Sequence, residues 1–321
     1  MPQNPDGTQI RVSRPLTNIS VAWQQTQPFV ADQVFPPVPV RRQGDLYWKY
    51  DRGDWFQALA EKRAPGTESA GGGWNVTTDS YFAHVYAVHQ DLDDQTMANA
   101  DEQFNLESDA ALWTTQQLGM KKEQLFVSTY MAANVWGDAA GSGDEDVAGA
   151  WATISSDIIG AIREKRMQIK RTTGFTPNTL VVDDPTIEAM MENTAILDRI
   201  KYTQRGYVTL ELVAALLDLE RIVSINAVQQ STPGSDTLEY MTGSKGKALL
   251  CYANPRPGLR QPSAGYTFAW TGLLGSGATG IRQKRFRMEA LESTRIEGEM
   301  AFVQKVVAPE LGYLFEDTVL T

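Results

Sequence analysis

The chain has 321 residues, an apolar share of 42% and a formal net charge of −10. Its length gives room for roughly two domains, and a charged share of 21% excludes a disordered polyampholyte. The negative balance excludes broad phosphate contact with nucleic acid and favours solubility.

Met1 to Asn18 is polar and contains proline, without the apolar centre of a signal peptide. The longest apolar run, Leu212 to Leu217, is far too short for a membrane span. The lone Cys251 cannot form an intrachain disulfide, and its apolar neighbours Leu249, Leu250 and Tyr252 mark it as buried and structural. A soluble protein of a reducing, cytoplasmic compartment is expected.

Residues 1–40 read as an arm. Seven prolines favour extended backbone, and Phe35-Pro36-Pro37-Val38-Pro39-Val40 is the most rigid piece. Trp23, Phe29, Val34 and Phe35 point to docking on a partner. Residues 41–92 read as a long two-stranded ribbon. Asp45 to Tyr50 goes out, Glu61–Gly66 and Ser69–Gly73 form a broad tip, and Trp74 to His89 returns. The returning limb is apolar on both faces and an isolated ribbon is marginal in water, so it is expected to lie across another chain.

Asp93 to Trp136 reads as one long helix. Asp93 and Asp94 are N-cap residues, and Asn105 offers a second start with Glu107 and Asp109 in its first turn. Leu106, Ala110, Trp113, Met120, Val127 and Met131 follow a single stripe. From Asn105 to Val135 such a rod spans about 46 Å. Gly119 bends it, or divides it into two ordinary helices.

The small, acidic stretch Gly137–Asp146 is a loop or linker. A helix from Ala150 buries Trp151, Ile154, Ile158 and Ile162, and its basic end, Arg163 to Arg171, compensates the helix dipole. Strand Thr179–Val182 follows, then a helix with Asp184 as N-cap and Pro185 at N1 that buries Ile187, Met190 and Met191. Thr209 caps a helix carrying Leu212 to Leu217, and strands lie at Arg221–Ile225 and Ala248–Ala253. Residues 150–280 thus form a small α/β domain. Beyond it, alternation at Phe286, Met288 and Ala290, then Met300, Phe302 and Val306 after a turn near Gly298, predicts strands beside the long helix. These give a second, discontinuous domain, and Pro309 to Leu320 closes the chain as an extended segment.

Nothing in this order demands catalysis. His84 and His89 point to opposite faces of one strand and cannot chelate a metal together. One cysteine excludes a cysteine-based zinc site. Gly243-Ser244-Lys245-Gly246-Lys247 lacks the spacing of a phosphate loop, and the glycine-rich Gly272–Gly280 lacks a strand-to-helix setting. Asp183 and Asp184 sit without a pocket. No catalytic residue, cofactor or metal is expected.

The order of arm, ribbon, long helix, α/β domain and returning strands resembles the major capsid protein of tailed bacteriophages. Thr173-Gly174-Phe175-Thr176-Pro177-Asn178-Thr179-Leu180-Val181-Val182, Ile200-Lys201-Tyr202 and Leu210-Glu211-Leu212-Val213-Ala214 are similar to segments of that family. The resemblance implies an α+β chain with the tailed-phage major capsid fold, which herpesvirus capsid floors and encapsulin shells share. Residues 1–40 would be the N-terminal arm and 41–92 the extended β-hairpin loop. Residues 93–149 would hold the spine helix and peripheral domain, 150–284 the axial domain, 285–308 the peripheral-domain strands, and 309–321 the C-terminal segment. The subunit would assemble with itself, as hexamers and pentamers, into an icosahedral shell holding double-stranded DNA without sequence-specific binding or any membrane. Its partners would be a portal, a scaffold and a cement or decoration protein; it would assemble in the host cytoplasm and reside in the virion capsid.

Trp23, Phe29, Phe35, Trp48, Trp55, Lys62, Arg63 and Trp74 are the expected inter-subunit contacts. Some relatives join a loop lysine to a peripheral-domain asparagine. Lys62 stands at the ribbon tip, but Asn254 is the last asparagine of the chain, so no such cross-link is expected. Asp91, Asp93, Asp94, Asp101, Glu102, Glu107 and Asp109, with no basic residue before Lys121, form an acidic surface that would face inward and repel DNA, face a neighbouring subunit, or simply be a solvated helix face. The rival readings are an encapsulin-like nanocompartment shell and an α/β nucleotide-binding enzyme using residues 243–247 or 272–280.

Overall fold

The computed structural model describes residues 29–50, 52–100, 105–137, 142–200, 208–230, 237–256, 258, 261–274 and 280–319. Residues 1–28 of the arm (Trp23 included), Lys201 and Tyr202, and most of the glycine-rich loop after Leu274 lie outside them.

The described end of the arm, residues 29–40, packs on its own chain. After the single-turn helix α1 (Ala31–Val34), strand β1 (Pro37–Val40) pairs in parallel with β11 (Gly265–Trp270) of the same chain. Prolines at alternate positions suit an edge strand, where one row of donors is not needed. Phe35 is fully buried, against Phe126 (5.2 Å between ring centroids), Tyr130 (4.9 Å) and Trp136 (6.3 Å). It is therefore a core residue of its own subunit and not an inter-subunit contact.

The ribbon is shorter than its sequence suggests. Strand β2 (Gly44–Tyr50) pairs with β3 (Val76–Phe82), and the short helix α2 (Arg52–Trp55) opens the tip. The returning limb breaks at the buried Ala83, after which β4 (His84–Asp93) leaves the ribbon and joins β13 (Ser293–Val306). Strands β11 and β12 (Arg282–Met288) are also antiparallel to β13, giving a five-stranded sheet. The chain does not turn near Gly298. Strand β13 runs straight through it, because a Cβ there would meet Leu118 at 3.0 Å and Thr114 at 3.3 Å on the overlying helix. The turn lies instead at Glu289–Glu292.

The long helix starts later and ends sooner than expected. Asp93 caps the short α3 (Asp94–Asn99), accepting the Thr96 N–H, and Asn105 caps α4 (Leu106–Tyr130), accepting the Ser108 N–H. Its 25 residues give a rod of about 38 Å. Gly119 neither ends nor divides α4: it provides a slot, since a Cβ there would lie 2.3 Å from the Phe29 ring. Nor is there one apolar stripe. Ala110 and Leu118 pack on the five-stranded sheet, Phe126 faces the arm, and Trp113 is exposed.

A second five-stranded sheet has the order β5 (Asp144–Asp146), β14 (Gly312–Glu316), β10 (Lys247–Cys251), β6 (Thr179–Val182), β7 (Arg221–Ser224). Its inner strands are buried along their whole length, as their continuous apolar runs require. Residue Ala150 starts a 3-10 turn, and the helix α5 (Ile158–Thr173) begins only after Asp157, leaving Ile154 exposed. Asp183, not Asp184, caps α6 (Asp184–Glu192). Fully buried, it accepts the Thr186 N–H on one oxygen and the Lys247 N–H on the other, stapling α6 to β10. Helices α7 (Thr194–Ile200) and α8 (Leu210–Leu217), the latter capped by Thr209, complete the cover. The hairpin of β8 (Val228–Gln230) and β9 (Leu238–Tyr240) and the single turn α9 (Thr271–Leu274) lie outside both sheets.

The ribbon is anchored through its inner face. Tyr81 stacks on Phe268 at 4.6 Å, and the Tyr47 hydroxyl donates to Asp79 at 2.8 Å. Lys305 of β13 donates to the other Asp79 oxygen at 2.7 Å. Partial burial pushes the Asp79 carboxyl up, but the hydrogen bonds from Lys305, Tyr47 and the Ser80 N–H outweigh it and hold the group at about 2.

Two outcomes are expected. Phe35→Ala leaves a cavity where arm, helix and sheet meet, and destabilises the subunit by about 3–5 kcal/mol in urea unfolding. Because the folded value of Asp79 is depressed, its contribution is complete above the ordinary carboxylate range and is lost as pH falls from about 4 to about 2. Hydrogen exchange in β2 and β3, measured against β10, should therefore accelerate through that window in the native chain and not in Asp79→Asn.

Candidate assembly surface

Strand alternation sorts the ribbon into two faces. Tyr47, Asp79 and Tyr81 point to the body. Leu46, Trp48, Tyr50, Val76 and Phe82 share the opposite face through the pairs Trp48 with Thr78, Tyr50 with Val76, and Gly44 with Phe82. This outer face is open: Trp48 is 68% exposed, Trp74 63% and Leu46 62%. Trp55 extends it, 6.0 Å from Tyr50 and 6.1 Å from Trp74 between ring centroids. The neck is closed by Asp54, which accepts the Asn75 N–H at 2.6 Å. Beyond it the exposed Phe56 ring reaches the C-cap of α5, where a Cβ on Gly174 would stand 3.0 Å away. A continuous apolar surface of this size is unusual on a soluble monomer and marks an interaction site.

Of the residues expected at contacts between subunits, Trp48, Trp55 and Trp74 share this surface. Lys62 and Arg63 are exposed at the tip, where Arg63 donates to the Thr67 carbonyl. Phe29 sits in the Gly119 slot on the body. Leu46, Val76 and Phe82 had not been singled out, although their alternation with Trp48 and Tyr50 carries the signal.

Three of the seven acids expected to form an acidic surface before Lys121 are paired with arginines. Arg295 grips Asp91 with two hydrogen bonds (2.6 and 2.7 Å), Arg287 grips Asp94 with two (2.5 and 2.6 Å), and Arg285 reaches Glu107 (2.6 Å). The hydrogen bonds from Arg295 and Arg287 hold Asp91 and Asp94 below the ordinary carboxylate range. Asp93 is used as a cap, and Asp101 and Glu102 lie outside the described residues.

Along α5, Arg163 donates to the Leu216 carbonyl and Arg166 to Asp218, at the C-terminus of α8, whereas Lys170 and Arg171 in its last turn are exposed. The lysines of residues 243–247 are engaged. Lys245 pairs with Asp317, and Lys247 donates to the Met131 carbonyl. Cys251 is completely buried, which pushes its thiol up to about 12 and leaves it unreactive at neutral pH. Among the described residues no group of three or more His, Cys, Asp or Glu could hold a metal, and no helix is long and apolar enough to cross a membrane.

No family model matches the chain. The major capsid protein of Burkholderia phage BcepMu is 22% identical over 319 residues, covering 96% of this chain and 97% of the relative. That of Pseudomonas phage JBD67 is 24% identical over 313 residues, covering 95% and 96%. In structure, the capsid protein of cyanophage P-SCSP1u superposes with a TM-score of 0.63 at 11% identity, covering 96% of this chain and 93% of that one. The SrpI encapsulin of Synechococcus elongatus shares the fold at a TM-score of 0.55 and 11% identity, covering 96% and 95%. The fold is thus common to capsids and encapsulins, whereas the sequence relatives are phage capsid proteins. Matched along nearly all of its length, the chain is similar to phage major capsid proteins, which are structural shell proteins and not enzymes.

Proposed function

We propose that copies of this chain assemble as hexamers and pentamers into an icosahedral shell enclosing phage double-stranded DNA, with the outer face of each ribbon laid across an adjacent subunit. The observation that carries this reading is the exposure of Leu46, Trp48, Tyr50, Trp55 and Trp74 on a ribbon whose other face is already satisfied. The sheet of β4, β11, β12 and β13 with α4 serves as the peripheral domain, to which β11, expected within the axial domain of residues 150–284, is joined by its pairing with β13; the sheet around β6 and β10 serves as the axial domain. Assembly takes place in the host cytoplasm with a portal, with or without a scaffold. The shell is held by non-covalent contacts and a cement protein, without a bond between Lys62 and an asparagine. A net charge of −10 keeps the packaged DNA from adhering.

Electron microscopy of the purified chain tests this. Closed shells are expected, and only small soluble particles would overturn the reading. Packaged DNA in native particles separates a capsid from a cargo-holding nanocompartment. Trp48→Asp with Trp74→Asp should abolish shells while leaving a folded subunit, because losing about 2 kcal/mol per contact weakens each contact roughly thirtyfold. Intact shells from this variant would remove the ribbon from the interface.

A further inference from the structure

The arm meets α4 through one ionisable group. Glu123 is 1% exposed, and its oxygens accept the Val30 N–H (3.1 Å to each) and the Ala31 N–H (3.0 Å). Helix α1 has no side-chain cap of its own, so Glu123 supplies one from a distant part of the chain. Among the described residues no ion pair neutralises Glu123. Its neighbour Lys122 turns instead to Asp32, at 2.5 Å, and to the Phe302 ring. The cover over the carboxylate is the arm itself: Phe29 fills the slot at Gly119 one turn away, and Val30 and Ala31 are buried.

We propose that Glu123 is the positioning residue that fixes where the arm joins α4, and that docking of the arm is coupled through it to uptake of a proton. This rests on the geometry of the single subunit and is independent of how subunits contact one another. A carboxylate buried by the arm regains water when the arm lifts, so the two arm positions hold its proton differently. Burial pushes Glu123 above the ordinary carboxylate range, the Ala31 and Val30 N–H groups pull it back without cancelling the rise, Asp32 adds to it, and Lys122 opposes it. Asp32 on α1 and Lys122 on α4 are the charged groups acting on the site. Since the docked value is the raised one, docking is strongest below the ordinary carboxylate range and weakens as pH rises through the raised value.

Hydrogen exchange of residues 29–40 in the full-length chain tests both parts, with amides of β10 as the fold control. Glu123→Ala should strip protection from Val30 and Ala31 at every pH while β10 keeps its own; an arm as protected as in the native chain would end the positioning role. Glu123→Gln keeps the shape without the charge. The exchange ratio of native chain to Glu123→Gln should climb with pH, by up to about tenfold for each unit by which burial raises the group. A ratio constant with pH would overturn the proton coupling. Glu123→Asp gives an independent reading if the glutamine variant does not fold. It keeps the charge but cannot reach both N–H groups, so protection should fall and the titration should move toward lower pH; a native profile would overturn the proposal.

Discussion

The contact on which the rest of the subunit depends is the insertion of Phe35 between the helix and the two sheets. Its ring meets Phe126 and Tyr130 on α4 and Trp136 beyond the helix end, and a Cβ on Gly265 of β11 would lie 2.4 Å from it. Trp136 in turn covers Gly312 of β14, where a Cβ would stand 2.1 Å from its ring, and its indole N–H caps the Tyr130 carbonyl at 2.8 Å. One side chain from the arm thus touches β11 of the first sheet, the helix and, through Trp136, the second sheet. A rod of 25 residues gains little from helix propensity alone, and packing of this kind is what holds it in place.

Glycine at Gly119, Gly265, Gly298 and Gly312 serves one purpose: close approach of a ring, a helix or a strand. Sequence reasoning charges a mid-helix glycine about 1 kcal/mol and reads it as a weak point. In α4 that cost is offset by the burial of Phe29, a contact whose other half lies ninety positions earlier and has no local signature. The same blindness affected the acids before Lys121. Asp91, Asp94 and Glu107 look unpaired along the chain because Arg295, Arg287 and Arg285 come back to them only when the first sheet forms.

What was legible was local. The caps Asp93, Asn105 and Thr209, the buried strand Thr179–Val182 and the aromatic limb Asp45–Tyr50 follow from rules that need no tertiary knowledge. The ribbon face was half legible, because alternation places Trp48 and Tyr50 together but does not say which face the body takes. That choice is made by Phe268 and Lys305, which receive Tyr47, Tyr81 and Asp79. Phe35 was misassigned for the converse reason. An aromatic in a proline-rich arm asks for cover, and sequence cannot tell whether the cover comes from the same chain.

The two faces of the ribbon differ in what they contribute. The inner face is held by the rings of Tyr47 and Tyr81 against Phe268, by the hydrogen bond from Tyr47 to Asp79, and by an ion pair with Lys305 that remains partly open to solvent and is itself worth about 0–1 kcal/mol. The outer face holds several large apolar side chains, each worth about 1.5–3 kcal/mol when fully covered. On the proposed reading, then, the body holds the ribbon by its inner face, and the neighbour covers Leu46, Trp48, Tyr50 and Trp74 on the outer one.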